Sequence, residues 1–164
     1  MHLYLVQHGA SKSEGEDPQR GLTDDGRRVV ERVAKYMTKI KVSVARIEHS
    51  DKLRARQTAE IIAERLRPAE GTKQVSGMGP NDDIHPLRDR LQTESRNVML
   101  VGHLPYLSRL FSALLEIAQD RSVVEFRMGG VVALARSENG EWRLQWAVIP
   151  DLLRGPAAPT QQAA

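Results

Sequence analysis

Short apolar runs alternating with amphipathic helical patterns constrain this chain more than any other feature of its sequence. Leu3–Val6 and Asn97–Val101 are of strand length and apolar enough to be buried on both faces, and Val42–Glu48 reads as another strand. After the first, a polar loop from Gly9 to Leu22 leads to Thr23, a helix cap followed by Asp24 and Asp25. Val29, Val30, Val33, Ala34 and Met37 then recur at helical spacing. Ser50 reads as the cap of a second helix, with Leu53, Ala55, Ala59, Ile62 and Leu66 inward and Pro68 as its stop. A short strand is expected around Gln74–Ser76 and a helix over Asp82–Gln92, capped by Asn81-Asp82-Asp83 and with Pro86 near its start. Pro105 opens a strongly apolar helix through Ile117.

The last part changes character. Val131–Ala135 and Trp142–Val148 flank Asn139-Gly140, a hairpin signal, and the even spacing of Trp142 and Trp146 places both on one side. The whole predicts an α/β three-layer sandwich, with a mainly parallel central sheet, helices on both faces and an antiparallel edge. One domain is expected over residues 1–150, and disorder in the Pro/Ala/Gln-rich residues 151–164.

Composition narrows the chemistry. The chain has no cysteine, so thiol nucleophiles, disulfides and zinc–thiolate sites are excluded. There is no HxH or HExxH pairing, so no metal site and no cofactor are expected. The net charge of +3 is spread without basic runs, and aromatics are only 4%, which argues against a nucleic-acid partner. The apolar run at the N-terminus is too short for a leader or a membrane span, so a cytoplasmic location is the expectation.

In an open α/β sheet, ligands bind beyond the carboxyl ends of the strands. The first strand ends in Gln7-His8-Gly9, the second leads to Leu53-Arg54-Ala55-Arg56-Gln57-Thr58, and the third ends in Gly102-His103-Leu104-Pro105. Two histidines and an arginine are therefore expected to converge. A neutral imidazole can attack phosphorus, while Arg54 and His103 supply charge and donors for the equatorial oxygens. Gly9 and Gly102, without side chains, would let backbone approach a phosphate.

Together the segments LVQHG, SDKLRARQTAE and VGHLP resemble the histidine phosphatase superfamily, the phosphoglycerate mutase-like fold. That superfamily carries Arg-His-Gly after the first strand, then Arg-Ala-x-x-Thr, then a second Gly-His or Ser-His. The small size, RGLTDDG and the NDD at Asn81–Asp83 resemble its SixA-type phosphohistidine phosphatases. The resemblance runs from Met1 to about Trp146. It implies His8 as nucleophile, Arg54 and His103 as catalytic phosphate ligands, and Gln7 and Gly9 as further phosphate-binding residues. For Arg20, phosphate binding and an ordinary loop salt bridge both stand. Gln7 occupies the place of the usual arginine, with Arg20 or Lys12 as the cation expected to compensate.

The implied substrate is a phosphohistidine on a partner protein, such as a phosphotransfer domain or phosphocarrier. An alkyl phosphate needs a proton for its leaving oxygen, whereas a phosphorylated imidazole can leave neutral. Asp82, Asp83 and His49 are the candidates for an acid, which keeps a small-molecule phosphomonoesterase in view. Gln7 keeps in view a third reading, a catalytically weak phosphoprotein-binding module. His2 and His85 read as structural, and Arg56 and Arg65 as solvated surface.

Overall fold

In the computed structural model, which describes residues 1–118, 121 and 123–153, six strands form one sheet. They are β1 (His2–Gln7), β2 (Arg46–His49), β3 (Thr72–Gln74), β4 (Val98–Gly102), β5 (Val131–Arg136) and β6 (Trp142–Val148), in the order β3-β2-β4-β1-β5-β6. The first four strands in that order run parallel, and β5 and β6 complete the sheet antiparallel. The mainly parallel sandwich with an antiparallel edge is the fold expected from the sequence.

Helices α1 (Asp24–Lys39) and α2 (Leu53–Leu66) cover one face. Their Val30, Val33, Met37, Ala59 and Ile62 pack on Val6, Ile47, Met99 and Val101. Helices α3 (His85–Thr93) and α4 (Tyr106–Leu114) cover the other face, with Leu87, Leu91, Leu107 and Leu110 on Leu3, Leu5, Val98 and Leu100. Alternate residues of β1 and β4 thus feed opposite cores, as a two-residue repeat in a doubly covered sheet requires. Because α1 leaves β1 on one face and α4 leaves β4 on the other, a crevice opens between these neighbouring strands at their carboxyl ends.

The loop after β1 is clamped onto α1. Thr23 caps the helix by accepting from Gly26 N at 2.9 Å, and its own N–H donates to Ala10 O at 2.9 Å. A Cβ on Gly26 would lie 2.2 Å from Ala10 O, so only glycine lets the helix approach so closely.

Several elements differ from expectation. β2 begins at Arg46 because its pairing with β4 begins there and that with β3 at Ile47, while Lys41 turns in the left-handed region. β3 pairs as Thr72–Gln74 instead of Gln74–Ser76. α4 stops at Leu114, short of Ile117, ahead of Glu116 at φ +55°. A bulge at Gln145 of β6, opposite the Ala133–Leu134 step of β5, sends Trp142 into the α3/α4 core and Trp146 against Tyr4 on the opposite face. The even spacing fails because one extra residue reverses the alternation. Pro150–Leu153 form a 3-10 turn packed against α1, so disorder does not begin at 151; residues 154–164 lie outside the described residues.

Candidate active site

Register brings the chemistry together. Gln7 pairs with Gly102, and His49 with Val101, so β1, β4 and β2 end in step. His8, His103 and Ser50 leave the sheet at the same edge, with His8 N bonded to Gly102 O at 3.1 Å and Ser50 N to Val101 O at 3.2 Å. The imidazoles of His8 and His103 stand 4.9 Å apart, centroid to centroid, and both are buried.

His8 Nδ1 lies 2.7 Å from Gly9 O. A carbonyl only accepts, so the proton sits on Nδ1 and Nε2 keeps its lone pair. Arg54, in the first turn of α2, donates Nε–H to that nitrogen at 3.2 Å. Thr58, one turn later, fixes both partners: its Oγ1 accepts from Gly9 N at 3.0 Å and donates to Arg54 O at 2.7 Å. Burial, with the charges of Arg54 and Arg20, lowers His8 from 6.5 to about 4. Burial first, then His8 and Arg54, lowers His103 to about 3. Both rings are neutral at pH 7, and a neutral imidazole is the form able to attack phosphorus.

Residues 3–75 match the histidine phosphatase superfamily (branch 1). That matched stretch contains both His8 and Arg54. It is 23% identical over 155 residues to phosphohistidine phosphatase SixA of Escherichia coli (strain K12), covering 92% of this chain and 94% of that protein. Its fold is similar to that of the protein histidine phosphatase SixA complexed with tungstate, with a TM-score of 0.83 at 23% identity over 94% of this chain and 100% of that one. It is also similar to a phosphoserine phosphatase from Entamoeba histolytica in complex with 3-phosphoglyceric acid, with a TM-score of 0.70 at 18% identity over 89% and 95% of the two chains.

Around His8, Arg54 and His103 the remaining candidates divide. Arg20 is near enough for its charge to act on both His8 and Arg54. It is held at φ +52° on a loop braced by Asp17, which accepts from Gly21 N, and by Gln57 of α2, which accepts from Leu22 N. Lys12 instead influences Glu16 and Asp17. Gln7 is buried, and its Oε1 has no hydrogen-bond partner among the described residues.

Gly9 sits beside His8, but a Cβ there would meet Val30 Cγ2 at 2.8 Å and Gly26 O at 3.1 Å. Its missing side chain makes room for the approach of α1. A Cβ on Gly102 would make ordinary contact with Leu107 at 3.4 Å, again on the core side. Asp82 accepts from Gly79 N at 2.7 Å, and Asp83 accepts from both His85 N and His85 Nδ1. Those bonds hold the Asp83 carboxyl below its usual range, a poor state for an acid. They also make this stretch a turn ahead of α3, whose cap residue is Ile84 without a side-chain bond. His49 is buried with Nδ1 donating to Ser50 O at 2.8 Å.

Two residues beside the site were not read as such from the sequence. Ser50 does not cap α2, whose cap residue is Lys52; its hydroxyl lies 2.6 Å from His103 Nε2. Asp51 carries the carboxylate whose charge acts on Arg54 and His103. Their adjacency to the Arg54 motif was the available signal, masked because Ser-Asp before a helix equally suits a cap. Among the described residues, no group of three or more histidines and acids could hold a metal ion, and no helix is long and apolar enough to cross a membrane.

Proposed function

We propose that this phosphatase hydrolyses phosphohistidine on a partner protein through a phospho-His8 intermediate. The observation that carries the proposal is the lone pair of His8 Nε2, directed at a guanidinium by the Nδ1–H···O=C bond to Gly9. A phosphoryl group entering the crevice replaces His8 as the partner of Arg54, and His103 supplies a further donor. Nε2 attacks phosphorus as the bond from phosphorus to the substrate imidazole breaks. That imidazole, protonated on its other nitrogen, departs neutral. Water then attacks phospho-His8, releasing inorganic phosphate and restoring the free ring.

The arrangement supports a leaving group that needs no strong acid. Arg54 and Arg20 are the charged side chains acting on His8, and Asp82 and Asp83 are committed to local turns. Asp51 favours the second reading, a small-molecule phosphomonoesterase, since a carboxylate acting on His103 could deliver a proton.

Comparing kcat/KM for a phosphohistidine-bearing phosphotransfer domain, p-nitrophenyl phosphate and phosphoserine separates the two. Phosphohistidine and the aryl ester should exceed phosphoserine by about a hundredfold, the lower range of a placed acid's contribution. Equal rates on phosphoserine would overturn the phosphohistidine reading and make Asp51 the first residue to replace.

A further inference from the structure

We propose that Ser50 is a positioning residue that holds His103 in the Nδ1-protonated tautomer, so that the neutral ring presents a preformed N–H to a phosphate oxygen. The proposal rests on the phosphatase reading above and adds what prepares the second histidine.

The argument is an accounting of buried polar groups. Ser50 is fully buried. Its N–H donates to Val101 O, its carbonyl accepts from His49 Nδ1, and its Oγ accepts from Lys52 N at 3.4 Å. The remaining neighbour of the hydroxyl is His103 Nε2, at 2.6 Å. Were Nε2 protonated, it would donate to Oγ and leave the Ser50 hydroxyl proton without an acceptor. The Nδ1 lone pair would also be unmet, because His103 Nδ1 is buried without a partner among the described residues.

With the hydroxyl donating to Nε2, every polar group of Ser50 is satisfied. One group is then left over, the Nδ1–H of His103. One unmet group is favoured over two, because each carries a desolvation penalty. The leftover donor belongs to the ring beside His8. His103 is neutral, its pKa lowered to about 3 by burial, His8 and Arg54, so the tautomer decides which nitrogen can donate.

The two histidines are thereby set by opposite contacts. At His8 a carbonyl takes the Nδ1 proton and frees Nε2 to attack. At His103 a hydroxyl occupies Nε2 and frees Nδ1–H to bind.

The test is long-range ¹H–¹⁵N correlation on the histidine-labelled full chain, with the two signals assigned through His8→Asn and His103→Asn. The unmutated protein should show His103 protonated on Nδ1. Ser50→Ala should release part of the population to the Nε2-protonated form and weaken vanadate binding about tenfold, the loss of roughly one hydrogen bond. A proton on Nε2 in the unmutated protein would overturn the proposal without any variant having to fold. So would a Ser50→Ala protein that keeps both the tautomer and the vanadate affinity. Neither readout uses phosphohistidine, so a failed substrate assay beside an Nδ1-protonated His103 would count against the substrate alone.

Discussion

Acidification should destabilise this protein well before its carboxylates begin to protonate. His8 and His103 drop from 6.5 to about 4 and about 3 on folding, with burial the largest cause at each. Above about pH 6.5 both rings are neutral whether the chain is folded or not, and they contribute no pH dependence. Below it the unfolded chain takes up protons that the native site refuses, so stability falls as pH falls. Each ring then costs about 1.4 kcal/mol per pH unit until its folded pKa is reached.

Between about pH 6.5 and 4.5 that is about 2.5 kcal/mol per ring, a large share of the 5–15 kcal/mol typical of a domain. Glu48 and Glu94, held low in the folded state, add their own loss only as pH falls through the carboxylate range, which leaves this window to the histidines. Urea denaturation at fixed ionic strength across the window measures the slope. His8→Asn should at least halve it, because it removes one ring and also the neighbour that helps depress His103. Stability that is flat across the window, or a slope unchanged in His8→Asn, would refute the burial argument.

Three further outcomes are expected. Arg20→Ala should weaken vanadate binding about tenfold, the scale of a charged hydrogen bond, while Lys12→Ala should leave it within twofold, since Lys12 acts on Glu16 and Asp17. Glu48→Gln should cost about 3 kcal/mol in urea denaturation, because Glu48 is buried between Arg46 and Arg90: Arg90 would lose its carboxylate partner, and Arg46 would keep only Glu94 and Glu70. Turnover of p-nitrophenyl phosphate should survive prolonged EDTA treatment, and a loss restored by a divalent cation would contradict a site whose positive charge comes from arginine.

The convergence of His8, Arg54 and His103 was legible because each sits at or just beyond the carboxyl end of a strand, and strand ends are where an α/β sheet gathers ligands. What the sequence hid was how neighbouring groups divide their hydrogen bonds. Ser50 has the residue type and place of a helix cap, and only the folded distance to His103 shows where its hydroxyl goes. Gly9 lies inside a motif, yet its missing Cβ answers to Val30 and Gly26, contacts made across a loop.

Trp146 was placed by alternation, which a single bulge beside it, at Gln145, reverses. Within β2, Arg46 and Glu48 read as part of an ordinary strand. Their pairing with Glu94 and Arg90 depends on α3 and the segment after it folding back over the sheet.

The nucleophile is the claim on which the rest depends. Brief reaction with ³²P-labelled phosphohistidine protein, quenched in alkaline denaturant and mapped by peptide, tests it most directly. The lone pair of Nε2, kept free by the Gly9 carbonyl, predicts an acid-labile, base-stable phosphoramidate on His8 that His8→Asn abolishes. Label on Ser50 or Ser11, or turnover undiminished in His8→Asn, would contradict the account.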